Sequence, residues 1–198
     1  MGQSLGILAS EVGVSERTLR RGVGSGLVRA RRPSARRLVL SDDELAWVRR
    51  NWPLVAGLRG ILRTEPNVAL AVLFGSVARG EEVAGASDLD LLVELRRPTP
   101  GALETLRRRL SERLPVEMQV VPMEAARRNP RLLRGALRDG RPLVDRDRAW
   151  PGLLAESAYV RARADESERR SRSQARAALG YFQQLARARA RTSAGPGD

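Results

Sequence analysis

The sequence contains no cysteine and no histidine. Disulfides, zinc–thiolate centres and thiol nucleophiles are therefore excluded, as are Ser-His-Asp and Cys-His mechanisms, which need the side chain that most often serves as general base. Lysine is missing as well, so all 36 basic residues are arginine. So complete a bias is first a matter of composition, but arginine also pairs phosphate in a bidentate fork better than lysine does, which favours a phosphate-bearing partner. Aromatic residues are few, with three Trp, two Tyr and two Phe. The core must then be built from Leu, Val and Ala, and recognition of single strands by base stacking is disfavoured. No apolar run approaches the ~18 residues that span a membrane, and the N-terminus lacks a basic segment followed by an apolar one. The expectation is a cytoplasmic protein with no membrane partner.

What is present is 198 residues, 42% hydrophobic and 30% charged, the composition of one ordinary globular domain or two small ones. The 36 arginines face 23 acidic residues, a net charge of +13. In residues 1–50 the ratio is steepest, with 10 Arg against 5 acids. There Leu5, Leu8, Val12, Val14 and Leu19 are interrupted by Gly13, and Ser15 is placed to cap a helix starting at Glu16, which predicts helix, tight turn, helix. Residues 27–32 and 36–40 read as two short strands about a turn. Ser41 and Glu44 form a capping box that opens a helix over about 42–50, and a separate helix is expected from Pro53 to Arg63.

Val68 to Phe74 is a fully apolar strand that ends at Gly75-Ser76. Further strands are expected over 89–95, 116–121 and 142–144, with helices over 100–113 and 123–138. Residues 151–191 read as one long or two shorter arginine-rich helices, and the Ser/Gly/Pro-rich tail 192–198 reads as disordered.

The chemistry concentrates in Gly75-Ser76-Val77-Ala78-Arg79-Gly80 and Ser87-Asp88-Leu89-Asp90. Side chains alternate along a strand, so Asp88 and Asp90 share one face and Leu89, Leu91 and Val93 the other. Two neighbouring carboxylates at the mouth of an apolar strand repel unless a cation neutralises them. Oxygen-only donors in a chain without His or Cys point to Mg²⁺ or Mn²⁺. If the strand carrying Glu117 pairs beside Asp88-Leu89-Asp90, three carboxylates converge, the arrangement of two-metal phosphoryl or nucleotidyl transfer. Gly75 and Ser76, between strand and helix, are placed to cradle phosphate oxygens, with Arg79 one turn further along.

Gly75-Ser76, Arg79-Gly80 and Ser87-Asp88-Leu89-Asp90 resemble the minimal nucleotidyltransferases (MNT type) of the DNA polymerase beta superfamily, over about residues 55–145. The resemblance implies an α/β (α+β) fold with a small mixed sheet flanked by helices. It implies that Gly75 and Ser76, with Arg79 and Ser87, hold the triphosphate of ATP or another NTP, that Asp88 and Asp90 bind Mg²⁺, and that Glu117 completes the site. MNT-type proteins often belong to toxin–antitoxin pairs in which they modify a protein or RNA partner.

Residues 5–50 resemble winged helix-turn-helix domains of the MerR-like kind, with the wing around Arg31 to Arg37. That resemblance implies double-stranded DNA as a partner through Ser15, Arg17, Thr18, Arg20 and Arg21, and a homodimer where two half-sites are read. The expected organisation is a winged helix-turn-helix domain over 1–52, a nucleotidyltransferase domain over 53–148, a C-terminal helical segment over 149–191 and a tail over 192–198. Two functions follow: a Mg²⁺-dependent nucleotidyltransferase that transfers a nucleoside monophosphate to a protein, RNA or small-molecule hydroxyl, or a DNA-binding regulator whose second domain serves as sensor or dimerisation module without turnover.

Overall fold

A computed structural model describes residues 4–34, 37–81, 88–114 and 116–193. The N-terminal unit begins with α1 (Leu5–Glu11) and α2 (Glu16–Ser25). Each starts on a serine whose hydroxyl accepts from the first turn, Ser4 from the Gly6 amide and Ser15 from the Thr18 amide. Leu5, Leu8, Ala9 and Leu19 bury the facing sides of the pair. An antiparallel hairpin of β1 (Arg31–Ser34) and β2 (Arg37–Val39) follows.

The two helices expected on either side of residue 52 are one, α3 (Asp42–Thr64), with Pro53 inside it. An interior proline removes one backbone hydrogen bond and costs about 3 kcal/mol. Against that, Trp47, Val48, Trp52, Val55, Leu58 and Leu62 form one buried stripe that continues through the proline. Fully burying each such side chain contributes roughly 1.5–3 kcal/mol, so the continuous stripe prevails.

The main sheet contains β3 (Val68–Phe74), β4 (Leu89–Leu95), β5 (Met118–Pro122) and β6 (Arg141–Asp145), in the order β5-β4-β3-β6. The β4–β5 pair is parallel, while β3 is antiparallel to both β4 and β6. This topology places the end of β3 and the starts of β4 and β5 at one edge of the sheet, where the candidate residues stand. Between the strands lie α4 (Gly75–Arg79), α5 (Ala102–Arg113), α6 (Met123–Arg128) and α7 (Pro130–Asp139), with α8 (Ala149–Ala155) and α9 (Ser157–Ser193) after β6. One helix was expected over 123–138, but it divides at Asn129-Pro130. A residue before proline is pushed out of the α region, and Asn129, at φ −115° and ψ 87°, instead caps α7 through the Leu132 amide.

Alternation sends the two faces of the sheet into two cores. Ala71, Leu73, Leu89, Leu91 and Val93 pack with α3, α5 and the N-terminal unit. Leu70, Val72, Leu92 and Val121 pack with α6, α7, α8 and the start of α9. Helix α9 is clamped to α7 by Arg134, which pairs with Asp165 and Glu168. It continues to Ser193, so two residues of the tail expected to be disordered are helical, and residues 194–198 lie outside the described residues. Among the described residues no helix is long and apolar enough to cross a membrane.

Candidate functional site

The site is organised by the close approach of Asp90 to Gly75. Asp90 on β4 pairs directly with Phe74, the last residue of β3. The chain then turns through Gly75 with φ of +78°, and a Cβ there would lie 2.1 Å from Asp90 Oδ2. Only glycine provides both that conformation and that space. Ser76 follows, and its carbonyl accepts from the amides of Gly80 and Glu81 at 3.0 and 3.1 Å, which closes the turn. Asp88 stands immediately before β4 and is exposed, whereas Asp90, the second residue of the strand, is half-buried. Ser87 lies outside the described residues.

The parallel pairing of β4 and β5 puts Leu89 opposite Met118 and Asp90 opposite Gln119. Glu117 accordingly stands opposite Asp88, its carbonyl accepting from the Leu89 amide at 2.9 Å. Asp88 and Glu117 border one groove of about 820 Å³ between β5 and α5, whose other walls include Arg107, Arg108, Ser111 and Gln119. Two expectations need correction. The strand starts at Met118, so Glu117 precedes it and is exposed. Moreover, among the described residues no three acidic side chains gather closely enough to hold a metal ion. The reason is geometric: Asp90 is drawn against the Gly75 turn on the β3 side of β4, whereas Glu117 lies just before the edge strand β5, at the rim of the groove. The donor chemistry of Asp88 and Asp90, carboxylate oxygens alone, is the kind a hard divalent cation takes.

Arg79 is engaged by acids rather than extended from the turn. It forms a bidentate pair with Glu81, at 2.7 and 2.6 Å, and reaches Asp139 Oδ2 at 3.4 Å. The hydrogen bonds to Glu81, and secondarily to Asp139, hold its guanidinium well above the ordinary arginine value. Burial pushes the Asp139 carboxyl up, but Arg138 and Arg79 outweigh it and hold the group below its ordinary value.

Behind the turn lies a cluster that sequence reasoning missed. Arg141 and Glu44 are buried and form a two-pronged ion pair at 2.6 and 2.8 Å, with the guanidinium stacked 3.6 Å over the Trp47 ring. Glu44 carried a signal only as part of a capping box, and Arg141 looked like one arginine among many.

In the N-terminal unit, Ser15 and Thr18 are bonded to each other, with their hydroxyls 2.9 Å apart. Arg20 pairs with Glu16 at 2.5 Å. Arg17 and Arg21 on α2 and Arg31, Arg32 and Arg37 on the hairpin are exposed, with no ion pair among the described residues.

Residues 55–144 match the family model of the nucleotidyltransferase domain. This span runs from the second half of α3 to Val144 in β6 and holds Gly75, Ser76, Arg79, Asp88, Asp90 and Glu117. No curated protein matches the sequence. Similar solved structures include a toxin–antitoxin complex with AMP-PNP, at 17% identity over 63% of this chain and 98% of that chain, with a TM-score of 0.49. Another is the toxin–antitoxin MntA–HepT, at 15% identity over 65% of this chain and 98% of that one, TM-score 0.47. A third is the tri-AMPylated Shewanella oneidensis HEPN toxin in complex with MNT antitoxin, with the same identity and coverage and a TM-score of 0.48.

Proposed function

We propose that residues 55–144 form a nucleotidyltransferase that moves a nucleoside monophosphate, AMP from ATP in the first instance, onto a hydroxyl of a protein, RNA or small molecule. The observation that carries the proposal is the approach of Asp90 to Gly75, within a segment that matches the nucleotidyltransferase domain. An acidic strand end and a glycine turn in contact put carboxylates beside a loop open to phosphate oxygens.

In this reading Gly75 and Ser76 bind the triphosphate through the backbone and the Ser76 hydroxyl, and Asp88 with Asp90 would hold Mg²⁺. When bound, the cation supplies positive charge that neutralises both the aspartates and the triphosphate. The acceptor oxygen bonds to the α-phosphorus, the bond from that phosphorus to the bridging oxygen breaks, and pyrophosphate leaves. The acceptor approaches along the groove shared by Asp88 and Glu117, and Glu117 takes up the hydroxyl proton. Arg79, held by Glu81 and Asp139, serves by fixing the far end of the turn. A toxin–antitoxin pair, the context the resemblance implies, is the proposed setting.

The test is thermal stabilisation by each NTP with Mg²⁺, followed by transfer from the α-labelled nucleotide. Saturation at 100 times Kd adds about 2.7 kcal/mol of stability. The shift should occur in wild type and vanish in Asp88→Asn/Asp90→Asn. No shift with any NTP, or the same shift in the double variant, would overturn the reading.

A second reading, double-stranded DNA binding by the N-terminal unit as a winged helix-turn-helix, is favoured by five exposed arginines on α2 and the hairpin that form no ion pair among the described residues. Unneutralised guanidinium groups on one small unit are what phosphate contacts require. Arg17→Ala/Arg21→Ala should weaken duplex binding and lower the salt slope by about one unit per arginine. An unchanged slope would leave the unit a role in protein contacts.

A further inference from the structure

Helix α4 has five residues, too few to hold its own shape. A helix end also leaves carbonyls without partners inside the helix. Here they are taken by side chains from elsewhere in the chain. Trp47 Nε1 donates to the Val77 carbonyl at 2.7 Å, Arg141 Nε to the Ala78 carbonyl at 2.7 Å, and Arg50 Nη2 to the Gly80 carbonyl at 3.3 Å. Arg141 sits opposite Leu73, two residues before the glycine turn.

The same cluster grips the N-terminal unit. Arg141 Nη1 donates to the Leu27 carbonyl at 3.0 Å, and Glu44 Oε1 accepts from the Arg29 amide at 2.9 Å. Arg29 itself reaches the Asp139 carbonyl at 2.6 Å, beside the carboxylate that holds Arg79. A buried ion pair is a weak device for stability, because apolar residues of similar volume would pack the space as well or better. What the fork of Arg141 adds is direction: it fixes carbonyls from two separate segments and a carboxylate in one arrangement.

We propose that Glu44, Trp47 and Arg141 are positioning residues for the Gly75-Ser76 turn, and that through them residues 27–29 of the N-terminal unit help set the turn's affinity for a triphosphate. The proposal rests on the nucleotide reading above. It assigns to the N-terminal unit a structural part in the nucleotide site, whether or not that unit also binds DNA.

The experiment compares wild type with Trp47→Phe, which removes one hydrogen bond and keeps a ring, and with Arg141→Lys, which keeps the charge and loses the fork. Two measurements are made on the full chain: peptide-resolved amide exchange, and titration with ATP and Mg²⁺. Exchange in residues 75–80 should quicken about tenfold in both variants while residues 68–73 remain protected. The Kd for ATP should weaken about tenfold, and labelled transfer should show a raised KM with kcat within about twofold. If Arg141→Lys fails to fold, Glu44→Leu/Arg141→Met replaces the pair by apolar groups and should show the same local loss. Unchanged exchange at 75–80, exchange that quickens equally throughout, or an unchanged Kd in Trp47→Phe would overturn the proposal. Failure of wild type itself to bind any NTP would overturn the nucleotide reading and the affinity claim with it, and wild-type titration alone identifies that case.

Discussion

Asp90 and Gly75 illustrate how much one contact decides. The positive φ and the 2.1 Å approach make any side chain at Gly75 both strained and obstructed. Gly75→Ala is expected to displace Asp90, cost about 1–2 kcal/mol in stability and abolish the ATP-dependent thermal shift. A melt with and without ATP and Mg²⁺ measures both effects, and a retained shift would remove Gly75 from the site. Asp139 sets a pH dependence. Its folded value is depressed by Arg138 and Arg79 against the opposing effect of burial. A depressed carboxylate stabilises the fold above its unfolded value and loses that contribution as pH falls through the folded one. Stability should therefore decline as pH drops below ~4, and Asp139→Asn should reduce that decline when melts are compared between pH 5 and pH 2.5. The nearness of Asp90 to the Gly75 turn was legible because a glycine after an apolar strand and acids at the mouth of the next are unusual residue types in that spacing. Glu44, Trp47 and Arg141 were not, because their partners are backbone groups distant in sequence, and no local pattern marks them.

Elements were legible where one interaction dominated. The apolar run of β3 and the alternation of β4 specify strands by themselves, and both match their expected spans. Helix α3 was misread because proline is a strong local signal and the buried stripe across it is a tertiary one. Pro53 is exposed, so Pro53→Ala should restore a hydrogen bond to the Arg49 carbonyl without altering the core. The expected gain is about 2 kcal/mol, reduced from the full proline penalty by the greater freedom of the unfolded chain. Chemical denaturation measures it, and a lower midpoint would show that the proline shapes the helix favourably. Gly140, between α7 and β6, behaves oppositely. A Cβ there would lie 2.2 Å from the Ala136 carbonyl and 2.8 Å from Trp150 and Val72. Gly140→Ala should cost about 1–3 kcal/mol by overpacking, read in the same denaturation experiment.

For the whole molecule, a single apolar cluster joins Leu5, Leu8 and Leu19 to Trp47, Leu73, Leu89 and Leu91. The N-terminal unit and the sheet should consequently melt together, giving one calorimetric transition whose van't Hoff and calorimetric enthalpies agree. Two resolved transitions would show that the helix pair and hairpin fold independently. The amino-acid sequence by itself determined the chemistry open to the protein: no thiol or imidazole mechanism, two carboxylates at the start of a strand, a glycine turn before them, and a surplus of arginine. These follow from residue type and from periodicities of two and about four residues, which are local properties of the backbone. Which arginine is buried, which acid lies apart from the others, and how the N-terminal unit reaches the turn were decided only by the tertiary structure. Those outcomes depend on strand order and on contacts between residues up to 114 positions apart, as between Arg141 and Leu27, and no local periodicity encodes them.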